Sequence, residues 1–128
     1  MNSYSQTTGY AIEALACLAR CRPDSMLVRE IAGETEIPLP YLSKIFQRLA
    51  EAGIVESKRG YKGGVKLTRE PDKISLLEIN AAAESGRTGE ALEESPRPGT
   101  FWQAFHQSYR EKLAAMTLAD VVDYEIHA

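Results

Sequence analysis

The feature that most constrains this chain is the segment Ile37-Pro38-Leu39-Pro40, followed at once by a strongly amphipathic run. Pro38 drives Ile37 out of the helical region, so a preceding helix must end there. Pro40 suits the first turn of a new helix, where its missing N–H costs nothing. From that point Leu42, Ile45, Phe46 and Leu49 fall at i, i+3, i+4 and i+7, which predicts one buried stripe. The other face carries Tyr41, Ser43, Lys44, Gln47, Arg48 and Glu51, whose hydroxyl, amide and cationic groups suit phosphates and base edges. Upstream, residues 28–35 predict a shorter helix with Ile31 and Ala32 inward. Two short helices joined by a tight turn, the second polar outside, form a helix-turn-helix pattern.

A hairpin is expected directly after it. Gly53 reads as the glycine that closes the third helix. Residues 54–59 read as a strand, and Val65-Lys66-Leu67-Thr68-Arg69 as its alternating partner. The tip between them, Arg59-Gly60-Tyr61-Lys62-Gly63-Gly64, combines glycines with cations, as a loop entering a narrow groove would need. A hairpin in this position is a wing. The fold class that follows is mainly α, an α+β winged helix.

Charge distribution supports the same face. The chain has a formal net charge of −3 over 128 residues. Residues 44–73 alone hold eight Lys or Arg against four acids, a net of +4, and the rest of the chain carries −7. A basic face on an acidic body aims one side at phosphates. In that reading Lys44, Arg48, Lys58, Lys62 and Lys66 neutralise backbone charge. Ser43 and Gln47 are the candidates for base edges, and Arg59 for an A·T-rich minor groove.

The remainder of the chain is expected to be helical. Residues from about 5 to 20 predict a first helix with Ser5 or Thr7 as N-cap and Ala11, Ala14, Leu15, Leu18 and Cys21 on its apolar side. Met26-Leu27 could add a short strand. Ser75-Leu76-Leu77-Glu78 is a capping box opening a helix to about Glu84. Residues 85–100, rich in Gly, Pro, Ser and charge, predict a flexible loop. Thr100 then caps a helix from Phe101 to about Met116, on which Trp102, Phe105, Tyr109, Leu113 and Met116 make an apolar seam. Antiparallel packing on a second copy is preferred for that seam over folding back on its own domain. A short helix from Thr117 to Tyr124 ends the pattern. The organisation expected is a winged helix-turn-helix domain at 1–84, a loop at 85–100 and a dimerisation helix with a C-terminal helix at 101–128.

Several functions find no support in the sequence. There is no G-x-S-x-G element, P-loop, dinucleotide fingerprint or metal-spaced His/Glu cluster, so no enzyme is expected. No apolar run is long enough for a membrane span, and residues 1–5 lack a signal-peptide profile, which points to the cytoplasm. Cys17 and Cys21, four apart on one helix, are expected as buried structural thiols, with a thiol or metal sensor (together with His106 or His127) as the alternative.

The combined motifs resemble the Rrf2 family of bacterial transcription regulators, which includes IscR-, NsrR- and CymR-like proteins. They are Gly9-Tyr10-Ala11, Ile31-Ala32, Ile37-Pro38-Leu39-Pro40-Tyr41-Leu42, Ile45-Phe46-Gln47-Arg48-Leu49 and Ala52-Gly53-Ile54-Val55. The wing Arg59-Gly60-x-x-Gly63-Gly64-Val65, Ile74-Ser75-Leu76-Leu77-Glu78-Ile79 and Thr117-Leu118-Ala119-Asp120-Val121 also fit, so nearly the whole chain is covered. The resemblance implies a homodimer, expected as a repressor, on near-palindromic double-stranded DNA, with helix 39–52 in the major groove and wing 58–66 in the minor groove. It places Leu39, Pro40, Ser43, Lys44 and Gln47 at the DNA-facing positions and Arg59 at the wing. Sensing members carry three cysteines before the dimerisation helix to hold an iron–sulfur cluster, whereas residues 84–105 here contain none. No cofactor is therefore expected, and a small-molecule or protein effector would act instead at the acidic loop or the dimer interface. The alternative function is a winged-helix module that grips another protein.

Overall fold

The computed structural model describes residues 6–21, 25–58, 64–84 and 99–127. Among these residues six helices and one hairpin follow in chain order: α1 (Gln6–Arg20), α2 (Val28–Thr35), α3 (Leu39–Glu51), β1 (Val55–Lys58), β2 (Gly64–Leu67), α4 (Leu76–Glu84), α5 (Phe101–Ala115) and α6 (Leu118–His127). A 3₁₀ turn at Pro71–Lys73 leads into α4.

Helix boundaries follow from local chemistry. Pro38 occupies the N-cap of α3 with extended backbone, and Pro40 lies in its first turn. At the other end the Gly53 N–H donates to Ala50 O and the Ile54 N–H to Leu49 O, both at 3.0 Å, while Gly53 takes φ +80°. This is a Schellman closure, and it turns the chain directly into β1. The turn between α2 and α3 is made by Glu36 at φ +60°, whose N–H donates to Ala32 O at 2.9 Å. A side chain other than glycine at that angle costs about 1–2 kcal/mol and is held by its surroundings.

The capping box read at Ser75 forms: the Ser75 N–H donates to Glu78 Oε2 and the Glu78 N–H to Ser75 Oγ, each at 3.1 Å. Thr100 Oγ1 accepts the Gln103 N–H at 3.1 Å and caps α5. The Thr117 N–H donates to Asp120 Oδ2 at 2.8 Å in the same style at the start of α6.

β1 and β2 pair antiparallel with Val55 opposite Leu67, Glu56 opposite Lys66, Ser57 opposite Val65 and Lys58 opposite Gly64. The short strand expected at Met26-Leu27 is a single bridge: the Met26 N–H donates to Val65 O at 3.0 Å, and the Val65 N–H to Met26 O at 2.8 Å. The bridge explains Gly64, which has φ +149°. A Cβ there would stand 2.6 Å from Met26 O and 2.9 Å from its carbonyl carbon.

One apolar core runs through the molecule. Ala14, Leu15 and Leu18 of α1, Ile31 of α2, the whole predicted stripe of α3, and Ile79 and Ala83 of α4 are buried in it. Leu113 of α5 and Leu118 at the start of α6 belong to the same cluster. The C-terminal part is also bonded to the N-terminal part: the Leu76 N–H donates to Met116 O, and the Leu118 N–H to Ile74 O, both at 2.9 Å. Arg20 of α1 pairs with Glu125 of α6.

Cys21 departs from expectation. Helix α1 ends at Arg20, so Cys21 lies in the following turn and is exposed, while Cys17 is buried. Expected features at Ser5, at the hairpin tip 59–63 and in the loop at 85–98 lie outside the described residues.

Two substitutions test these joints. Gly64→Ala is expected to lower stability by about 1–3 kcal/mol in denaturant titration, because the new methyl meets backbone rather than a yielding side chain. Partial desolvation would raise the Glu78 carboxyl's pKa, but hydrogen bonds from Arg69 and Ser75 and the Arg69 charge outweigh it and hold the group below its ordinary value. A depressed carboxyl stabilises the fold above the ordinary carboxylate range, and that contribution is lost as pH falls through the folded value. Glu78→Gln should therefore cost about 0.5–1 kcal/mol at neutral pH, and the gap from wild type should close on acidification below the ordinary carboxylate range.

Candidate nucleic-acid interface

Helix α3 displays what its sequence promised. With Leu42, Ile45, Phe46 and Leu49 all buried, the helix cannot rotate, and Leu39, Pro40, Tyr41, Ser43, Lys44 and Gln47 are left exposed. Burying each large aliphatic or aromatic side chain contributes roughly 1.5–3 kcal/mol, so four of them fix the outward set firmly. Tyr41 is 40% exposed and its ring meets that of Tyr10 edge to face, with centroids 5.4 Å apart and planes at 87°. Its hydroxyl lies 3.2 Å from Thr7 Oγ1.

Arg48 behaves differently from its neighbours. It is half-buried, and its Nη1 donates to Ala83 O in the last turn of α4 at 2.8 Å. Part of this guanidinium fastens α3 to α4, a contact 35 residues away that no local pattern reveals. Lys66 lies opposite Glu56 on the hairpin, with Nζ 3.9 Å from Oε1, so its charge is partly countered. The side chain of Lys58, and Arg59 and Lys62 altogether, lie outside the described residues.

Between α3 and the hairpin runs a groove of 480 Å³ lined by Ser43, Gln47, Glu51 and Ser57 above an apolar floor that includes Phe46 and Val65. Ser57 was not singled out in the sequence, because only the hairpin register brings it beside α3. A second feature joins residues far apart in the sequence: a buried polar network links α1 to α4. Asn80 Nδ2 donates to Thr8 Oγ1 at 3.0 Å, and Thr8 Oγ1 donates to Glu84 Oε2 at 2.9 Å, all three residues being almost fully buried. The available signal was Asn80, set between Ile79 and three alanines.

The aromatic seam on α5 divides. Leu113, only 6% exposed, and Tyr109, partly buried, face the chain's own core. Phe105 and Met116 stay exposed at 41% and 42%, and Phe101, 73% exposed, stacks on Phe105 with ring centroids 6.3 Å apart. The Trp102 side chain lies outside the described ones. Helical rotation explains the division: 105 and 101 share one side, and 109, 113 and the buried His106 turn toward α4.

The donor set does not fit an iron–sulfur cluster. Thiolate is the usual ligand, and the chain's two cysteines are Cys17 and Cys21, at the end of α1. Burial pushes the Cys17 thiol up, partly offset by Arg20. Among the described residues no group of three or more His, Cys, Asp or Glu could hold a metal ion, and no helix is long and apolar enough to cross a membrane.

Comparison with known proteins agrees with this geometry. Residues 4–124 match the family described as Rrf2, iron-dependent transcriptional regulator. A Synechocystis protein that carries the name of an HTH-type transcriptional regulator, slr0846, is 38% identical over 126 residues, covering 88% of this chain and 82% of its own. The HTH-type transcriptional regulator IscR of Cereibacter sphaeroides is 38% identical over 78 residues, covering 59% of this chain and 50% of its own. Among solved structures, CymR, the global cysteine regulator of B. subtilis, superposes with a TM-score of 0.79 at 27% identity, over 97% of this chain and 98% of that one. IscR of T. potens gives 0.77 at 28% identity, over 96% and 88%. The outward face of α3, the hairpin beside it and the match along almost the entire length lead to one conclusion: the chain belongs to the Rrf2 family of winged-helix, DNA-binding transcriptional regulators.

Proposed function

We propose that this protein acts as a homodimer that reads a near-palindromic DNA operator and represses transcription there, without an iron–sulfur cluster of its own. The observation that carries the reading is the division of α3 into a fully buried stripe and an outward face of hydroxyl, amide and cationic groups. In this reading α3 enters the major groove, with Ser43 and Gln47 on base edges and Lys44 on phosphate. The tip at 59–63 enters the minor groove through Arg59, and Lys62 adds a phosphate contact.

The exposed apolar surface supports the pairing of two copies. Phe101, Phe105 and Met116 on and after α5, with Tyr124 on α6, are large apolar side chains that remain exposed in a single copy. Pairing through them would present two α3 helices to successive major grooves, and the operator would share the protein's two-fold symmetry. The absence of cysteine from 84–105 directs sensing to a small-molecule or protein effector.

Selecting duplexes from a random-sequence pool and measuring retention against salt tests the reading. The selected site is expected to be an inverted repeat. Arg59→Ala should weaken binding by about 1–3 kcal/mol, and Lys62→Ala should reduce the salt slope by roughly one. No selected sequence, or undiminished binding in both variants, would sink it. The two sides of α5 separate as well. Leu113→Ala should cost about 2–5 kcal/mol of folding stability. Phe101→Ser with Phe105→Ser should cost less folding stability than Leu113→Ala and shift sedimentation toward the monomer.

A further inference from the structure

A pocket of 330 Å³ opens between the first turn of α1 and the outward face of α3, lined by Thr7, Pro40, Tyr41, Lys44, Ile45 and Arg48. Its lining among the described residues carries two cations and no carboxylate. Three of its polar groups are held in place before anything binds. Arg48 is pinned by Ala83 O at 2.8 Å through one of its five N–H donors, leaving others for a ligand. The Tyr41 ring is fixed edge-on by Tyr10, whose own hydroxyl accepts from Gln6 Nε2 at 2.8 Å. The Thr7 and Tyr41 hydroxyls share one hydrogen bond at 3.2 Å, so of their two protons one is used between them and the other is free to be donated outward. Lys44 stands exposed at the rim.

Several donors, two positive charges and, among the described lining residues, no carboxylate describe a site for a compact anion with several oxygens. We propose that this pocket seats one phosphodiester of the DNA backbone, gripped jointly by Thr7, Tyr41, Lys44 and Arg48, so that α1 and α3 clamp the same strand. The seat rests on the regulator reading, since a neighbouring phosphate can reach it only while the outward face of α3 lies against DNA. It adds Thr7 of α1 to an interface otherwise built from α3 and the wing. It also makes the contact depend on α4, because the Arg48 guanidinium is aimed by the carbonyl of Ala83. Phosphate contacts carry no sequence information but set where the reading helix sits, so the seat governs orientation.

The test uses a duplex selected by the wild-type protein, scanned with single uncharged methylphosphonates. One backbone position in each half-site should cost wild type about tenfold in affinity, the loss expected for a charge-assisted contact. In the Thr7→Val, Tyr41→Phe, Lys44→Gln triple variant, that same replacement should cost less than about twofold, while a base change opposite Gln47 should cost what it costs wild type. Lys44→Gln alone, on an exposed side chain, provides the reading if the triple variant unfolds early, with a salt slope smaller by about 0.9. A methylphosphonate penalty of equal size in wild type and variants overturns the seat and leaves the regulator reading standing. Competition by inorganic phosphate well beyond that of chloride at matched ionic strength, with a flat methylphosphonate scan, assigns the pocket to a free anion and also overturns it. Failure of the wild-type protein to retain any selected duplex removes both readings.

Discussion

The rest of the molecule depends on the seating of α3. Four side chains at i, i+3, i+4 and i+7 enter the core, and no rotation of the helix keeps all four buried while turning Lys44 or Gln47 inward. Everything around the helix reinforces that choice. Pro38 and the left-handed Glu36 set where it begins, the closure at Gly53 sets where it ends, and Arg48 ties its outer edge to α4. The outward chemistry is thus a consequence of the inward packing.

The hairpin is held by a similar economy of parts. Two strands of four residues are marginal alone. Here β2 gains a further pair of backbone hydrogen bonds from Met26, and Thr68 anchors its end by donating to Gly53 O at 2.6 Å. The hairpin is thereby joined to the segment before α2 and to the turn after α3, the two ends of the helix-turn-helix. Its tip is carried by a base that cannot shift without disturbing the helices it serves.

Much of this was legible in the residues. The α3 stripe, the capping box at Ser75, the cap at Thr100 and the glycine after α3 each rest on local chemistry, and local chemistry is what a sequence displays. What escaped was produced by distant contact. Nothing near Glu36 announces a left-handed residue, since glutamate has no preference for that conformation. Arg48 reads as one more surface cation until Ala83, 35 residues later, supplies a carbonyl. The seam on α5 reads as continuous because spacing shows which residues recur, not which of two surfaces each will meet. Leu113 and Tyr109 met their own core, and Phe105 did not. Asn80 stands out locally, but its partner Thr8 lies 72 residues away, so no local pattern shows the Thr8–Asn80–Glu84 network.

The paired backbone bonds between residues 74–76 and 116–118 have a wider implication for how this chain can be dissected. They join the stretch ahead of α4 to the stretch ahead of α6, and Leu113 and Leu118 fill space that would otherwise open beneath α1 and α4. A fragment cut away after Glu84 would carry all of α3 and the hairpin, but α1 and α4 behind them would lose the side chains of α5 and α6 that pack on them. The N-terminal and C-terminal parts thus share one apolar core, and a cut between them would open apolar surface on both sides.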